Sequence, residues 1–316
     1  MPRSKDAAGA ARGTKSGTAS AFSLGNAARG AEGTEGAAAS KLAPGLYLVA
    51  TPIGNLADVT LRALAVLRGA DAVLCEDTRV TAKLLARYGI VVATQPYHDH
   101  NAERVRPAIL ARLKAGVALA LVSDAGTPLV SDPGYKLVRA ALADCVAVTV
   151  VPGPSATLTA LLSSGLPPNR FLFMGFLPPK AAARRRALEE IKDVAATLVC
   201  FESAPRLAEC LADMAAVLGL RPAAVARELT KLHEETRRGD LAALAAHYRA
   251  AGSPKGELVL VIGPPEPAAA SDADLDRALG SALAHKSLRA AVDDVASATG
   301  TRRRQVYARA LALKGG

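Results

Sequence analysis

Leu121-Val122-Ser123-Asp124-Ala125-Gly126-Thr127-Pro128-Leu129-Val130-Ser131-Asp132-Pro133-Gly134 reads as an apolar strand running into a loop of small, turn-forming residues, with a new helix opening at Pro133. Such a loop at the carboxyl end of a buried strand lets a ligand approach bare backbone, because glycine has no Cβ and proline fixes the chain direction. Two further loops are built the same way. Thr51-Pro52-Ile53-Gly54-Asn55-Leu56 and Val151-Pro152-Gly153-Pro154-Ser155-Ala156 each follow an apolar run. Three small-residue loops at three strand ends predict one shared pocket.

Working outward from these loops, strands are expected over 46–50, 72–75, 117–122 and 146–151, with helices over 60–68, 78–88, 102–115 and from Pro133 to about 142. Strands separated by helices of this length indicate a parallel sheet with helices packed on it. Gly165-Leu166-Pro167-Pro168-Asn169-Arg170 reads as a linker into a second α/β set. That set has strands over 170–174, 197–201, 223–227 and 257–262, and helices over 180–192, 205–218 and 241–250. Gly263-Pro264-Pro265-Glu266-Pro267 then breaks the pattern, and three helical segments follow near 272–284, 286–298 and 302–313.

Composition narrows the classes. The 316 residues are half hydrophobic, but no uninterrupted apolar run is long enough for a membrane span. Residues 1–40 are dominated by Ala, Gly, Ser and Thr and are expected to be a disordered, low-complexity tail. The net charge of +10 falls mainly on the remainder, since the tail holds five basic residues against three acidic ones; this favours a polyanionic partner. Cys75, Cys145, Cys200 and Cys210 are far apart, and Cys75 and Cys200 sit within apolar runs as buried thiols. Such usage fits a reducing, cytoplasmic setting. His98 and His100 flank Asp99, but one short loop does not make a metal site, and none is expected.

Neither G-x-G-x-x-G nor G-x-x-x-x-G-K-S/T occurs, which disfavours a nicotinamide oxidoreductase or a triphosphate cradle. The glycine and proline turns suit a ligand without phosphates, such as a nucleoside carrying an amino acid. Charged groups gather beside them: Glu76-Asp77-Thr78-Arg79, Phe201-Glu202-Ser203-Ala204-Pro205-Arg206, Arg227-Glu228-Leu229-Thr230-Lys231 and Lys255-Gly256-Glu257. Asp77 or Thr78 can cap a helix, line a polar cleft, or do both. Arg184-Arg185-Arg186 and Arg302-Arg303-Arg304 read as solvated faces that also suit phosphate contacts, and 292–313 is compatible with a helix-turn-helix.

These motifs, together with Thr51 to Asp58, Pro152 to Ala156, Gly175-Phe176-Leu177-Pro178 and Ala226 to Lys231, occur in the order found in the ribosomal RNA small subunit methyltransferase I family. The chain resembles that family over about 46 to 262, and its helical tail over 299–313 is similar too. Ser155 stands where some members carry Cys.

The resemblance implies two α/β domains of the tetrapyrrole-methylase type, over 41–153 and 154–264, with the cofactor cleft between them and a helical appendage over 265–316. It implies S-adenosylmethionine as cofactor, a homodimer, and methyl transfer to the ribose 2′-hydroxyl of a cytidine in the decoding region of 16S rRNA, as naked rRNA or in the small ribosomal subunit. Cofactor contacts are then expected from Pro52, Ile53, Gly54, Asp124, Gly126, Thr127, Pro128, Leu129, Val130, Ser155, Ala156, Phe201, Glu202 and Glu257. Glu76, Asp77, Arg79, Glu228 and Lys231 are expected on the acceptor side with Lys255 near them, the general base being left open among them. Competing readings are a corrin- or porphyrin-precursor methyltransferase of the same superfamily and a non-catalytic rRNA-binding module.

Overall fold

The computed structural model describes residues 41–266 and 271–315. The tail expected over 1–40 lies outside the described residues. Gly45–Val49 (β1), Ala72–Cys75 (β2), Thr94–Pro96 (β3), Ala118–Leu121 (β4) and Val148–Val151 (β5) form one sheet of order β3-β2-β4-β1-β5. Its pairings are all parallel. Leu61–Gly69 (α1) and Thr78–Arg87 (α2) cover one face against Val49, Val73 and Val151. Ala102–Lys114 (α3) and Tyr135–Ala143 (α4) cover the other against Leu46, Leu74 and Leu121. Burial on both faces is why these strands read as unbroken apolar runs.

The chain leaves β2 toward β3 but leaves its neighbour β4 toward β5. The connections therefore diverge between two neighbouring strands, and in an open parallel sheet the crevice at their carboxyl ends is where a ligand fits. The loops after β2 and β4 open there, beside the loop after β1.

The second half begins with Ala156–Ser164 (α5). Its strands are Phe171–Phe176 (β6), Thr197–Ser203 (β7), Pro222–Arg227 (β8), Glu235–Asp240 (β9) and Glu257–Ile262 (β10), in the order β6-β7-β10-β8-β9. The β6–β7 pairing is parallel and the others are antiparallel. Ala181–Glu189 (α6), Leu207–Leu218 (α7) and Leu241–Ala251 (α8) build the core on one face. Helix α5 packs on the other face, with Ala160 and Leu161 against Val199, Ala224 and Val261.

Three elements were not legible as periodic segments. Strand β3 is three residues ending in proline, and α5 is apolar on nearly every side. Strand β9 is a charged edge strand, Glu-Thr-Arg-Arg-Gly-Asp, whose charges discourage a further strand from adding. Helix α4 opens at Tyr135 rather than at Pro133.

The arginine run on α6 is not a solvated face throughout. Arg184 is buried, its Nε 2.8 Å from Asp213 Oδ2, and Arg185 Nε lies 2.6 Å from the other carboxylate oxygen. Asp213 thus pairs with two of the three cations expected for phosphate contacts. Cys75 and Cys200 are buried as expected, as is Cys210, while Cys145 is exposed.

Asp272–Leu283 (α9), Leu288–Thr299 (α10) and Arg303–Gly315 (α11) pack around Leu275, Leu279, Val292, Val295 and Val306. Arg309 ties α11 to α9, donating to both carboxylate oxygens of Asp276 at 2.6 Å. Among the described residues no helix is long and apolar enough to cross a membrane.

Candidate active site

The three small-residue loops are hydrogen-bonded to one another. Thr51 and Gly126 exchange backbone bonds of 2.9 and 3.0 Å, and Thr51 Oγ1 donates to the Ser123 carbonyl. Thr127 Oγ1 donates to the carbonyl of Pro154 at 3.2 Å, which brings in the loop after β5. Asp124 Oδ1 accepts the backbone N–H of Asp77 at 3.0 Å, which brings in the end of β2.

The facing wall comes from the second sheet. Asn55 N–H donates to Thr230 Oγ1 at 3.0 Å across the two halves. Gly54 makes that approach possible: a Cβ there would lie 2.6 Å from Lys231 Cγ and 2.8 Å from the Leu229 carbonyl oxygen. Glu228 and Thr230 both adopt left-handed backbone, with φ of 50° and 64°, an uncommon state for residues with side chains that clusters at functional sites. Between the walls lies a cavity of about 630 Å³, within the roughly 300–1,000 Å³ usual for small-molecule sites.

Among the described residues its lining presents the carboxylates of Glu76, Asp124, Asp132, Glu228 and Glu257 against a single cation, Lys231, which pairs with Glu228 at 3.0 Å. Like charges at close range disfavour ionisation. Burial first, then the Glu76 carboxylate, push Asp132 up to about 6. Burial and Asp124 likewise raise Glu76. A cationic ligand relieves this repulsion, and a phosphate adds to it. Glu202 is fully buried on its side chain. Its Oε1 accepts from the Ser203 backbone at 2.7 Å, but Oε2 has no hydrogen-bond donor among the described residues. The Arg206 guanidinium is 3.1 Å from Oε2, but its Nη2 is directed at the carbonyls of Leu177 and Pro178.

Of the positions singled out in the sequence, Ile53, Glu76, Asp124, Gly126, Thr127, Val130, Ser155, Ala156, Phe201, Glu202, Glu228, Lys231 and Glu257 line this cavity. Pro52, Gly54, Pro128 and Leu129 shape the loops without lining it, and Leu129 packs against the core between the first sheet and α3 and α4. Asp77 and Arg79 face each other instead. Asp77 caps α2 and binds the Arg79 guanidinium, which holds its carboxyl down at about 2; the Arg79 side chain is 88% exposed. Lys255 is exposed outside the cavity.

Sequence reasoning missed Asp132, Phe176 and Gly256, all on the lining. Asp132 sits in Ser-Asp-Pro-Gly and read as a turn former. Phe176 reaches the site through a register shift in β6, where Phe173 pairs with Val199 but Phe176 with Phe201. The extra residue turns its ring to 5.5 Å from that of Phe201.

Residues 45–245 match the Tetrapyrrole (Corrin/Porphyrin) Methylases family, and residues 269–314 match the RsmI C-terminal HTH domain. A solved cobalt precorrin-4 methyltransferase superposes with a TM-score of 0.51 at 18% identity, over 69% of this chain and 94% of that one, which shows a shared fold. The ribosomal RNA small subunit methyltransferase I of Mesorhizobium japonicum is 54% identical over 277 residues, covering 87% of this chain and 94% of the relative. That of Erythrobacter litoralis is 52% identical over 276 residues, covering 87% and 98%. With half its residues shared across nearly the full length of two such relatives, the chain belongs to the ribosomal RNA small subunit methyltransferase I family.

Proposed function

We propose that this chain uses S-adenosylmethionine to methylate the ribose 2′-hydroxyl of a cytidine in the decoding region of 16S rRNA, acting as a cytoplasmic homodimer. The observation that carries the cofactor reading is the acidic, glycine-lined cavity: five carboxylates against one lysine suit a ligand that bears a sulfonium and an ammonium but no phosphate. The names of the relatives support rRNA as the acceptor.

When bound, the cofactor supplies an electrophilic methyl group that needs in-line approach of the acceptor oxygen. Backbone groups of Gly126, Thr127, Ser155 and Ala156 hold the adenosine and methionine parts. On the acceptor side stand Glu76, Asp132 and the Glu228–Lys231 pair, of which Asp132 is best matched to take a proton near neutral pH. Arg79, exposed above α2, and Lys255 meet the RNA outside the cavity.

Mass mapping of ribose methylation on small-subunit rRNA, with and without the gene, tests the reaction. One decoding-region cytidine should lose its 2′-O-methyl group on deletion, and an unchanged map would refute the assignment.

A further inference from the structure

Phe176 is an apolar ring on the wall of an acidic cavity, and it is left open. It is 57% exposed, more than any other large apolar side chain of the lining. A single exposed apolar side chain is ordinary on a protein surface, where it is free to turn. This one is fixed from behind. Arg206 Nη2 donates to the carbonyls of Leu177 at 2.8 Å and Pro178 at 3.3 Å, and Arg184 Nη1 donates to that of Pro179 at 3.2 Å. Each guanidinium is itself anchored, Arg206 to Glu202 at 3.1 Å and Arg184 to Asp213 at 2.8 Å. Leu177 is buried in the core of the second half, and the two prolines stiffen the chain after it.

The ring is also fixed from the side. Its centroid lies 5.5 Å from that of Phe201 at an interplanar angle of 60°, and Phe201 in turn meets Phe173 at 5.0 Å. A Cβ on Gly175 would lie 3.3 Å from Ser131 Oγ, so β6 touches the loop after β4 at this point. Ser131 has left-handed backbone, with φ of 67°, and Asp132 follows it; both line the cavity together with Phe176. The ring therefore stands beside the carboxylate read above as the proton acceptor. In a nucleotide the base is borne on the ribose carbon next to the one that carries the 2′-hydroxyl. A ribose offered to Asp132 brings its base to this neighbourhood.

We propose that Phe176 is the stacking platform for the nucleobase of the acceptor nucleotide, which leaves its neighbours in the RNA and lies on the ring with its ribose turned toward Asp132. This rests on the rRNA reading given above. Single-stranded RNA is recognised through bases splayed out onto aromatic side chains, and the contact offsets part of the cost of unstacking. Every base has a π-face, so the platform supplies position and leaves the choice of cytidine to other groups.

The test offers unmethylated small-subunit rRNA, both free and within the subunit, to variants of the full chain, and measures kcat and KM for RNA at saturating cofactor. Phe176→Ala should lower kcat/KM about tenfold or more, the loss expected for one stacked base. Phe176→Tyr keeps the aromatic face and should stay within about threefold of wild type. Phe176→Leu is apolar but has no π-face, and it should fall with Phe176→Ala. All three should fold, because the side chain is more than half exposed, and should bind the demethylated cofactor in calorimetry as wild type does. Wild-type kcat/KM in Phe176→Ala would overturn the platform alone. So would a Phe176→Leu protein as active as Phe176→Tyr, since the ring would then only fill space. A loss of cofactor affinity of about tenfold in Phe176→Ala would also overturn it, by placing the ring on the cofactor. Wild-type protein that bound the cofactor but methylated neither form of the RNA would overturn the rRNA reading and the platform together.

Discussion

Gly256→Ala should lower kcat/KM about a hundredfold, some 2.7 kcal/mol, while the protein stays folded. Gly256 has φ of +92°, and a Cβ built on it lies 2.0 Å from Glu228 Oε1, 2.7 Å from Cδ and 3.1 Å from Cγ. Three atoms of one side chain cannot all be avoided by a small adjustment, so Glu228 must rotate away. That breaks its 3.0 Å pair with Lys231 and moves a carboxylate on the cavity wall. The backbone cost is separate and small, about 1–2 kcal/mol for a side chain in the left-handed region. A double-mutant cycle distinguishes the two causes. In a Glu228→Ala background the added effect of Gly256→Ala on kcat/KM should largely vanish, because there is no longer a carboxylate to displace. Turnover within about threefold of wild type for the single variant, or full additivity in the cycle, would show that the glycine serves only the backbone.

The part of the site that rests on backbone was legible in the sequence, and the part that rests on long-range register was not. Loops rich in Gly, Pro, Ser and Thr after apolar runs announce bare backbone wherever the strands go, so Ile53, Gly126 and Ser155 could be named together. The cross-bonds between Thr51, Gly126, Thr127 and Pro154 are what that composition permits once the strands are neighbours. Phe176 depends on one residue slipping in the β6–β7 pairing, which no local pattern encodes. The β9 edge strand depends on an antiparallel partner, since its own residues carry no apolar alternation.

Charges were the other boundary. A run of three arginines looks the same in sequence whether it is solvated or paired, and only the packing of α6 on α7 brings Asp213 to Arg184 and Arg185. Glu76-Asp77-Thr78-Arg79 likewise offered a cap or a site. The structure divides the tetrapeptide, with Glu76 in the cavity and Asp77 on the cap with Arg79. Spacing located the group, and folding distributed the roles.

Asp132→Asn should lower kcat/KM at pH 8 by about a hundredfold or more, in the range expected for removing a general base, and should at the same time stabilise the protein. Both effects come from the same environment. Burial and the Glu76 carboxylate raise the Asp132 carboxyl to about 6 from an ordinary value near 3.8. In the free enzyme the active, ionised form therefore predominates only above pH 6. The wild-type kcat/KM should fall about tenfold per pH unit below that value, on an acid limb that belongs to the coupled Asp132 and Glu76 pair. The limb should be lost or displaced in Asp132→Asn. For stability the sign is opposite. Between pH 4 and 6 the folded state holds a proton that the unfolded chain has released, so this group's contribution becomes less favourable as pH rises through the window. Removing the charge should raise the melting temperature relative to wild type at pH 8, with the difference shrinking toward pH 4. An Asp132→Asn protein with unaltered pH dependence of kcat/KM would exclude this carboxylate as the proton acceptor. One that was slower and also less stable at pH 8 would point to a broken structural hydrogen bond, because a charge held at a disadvantage cannot destabilise the fold by its removal.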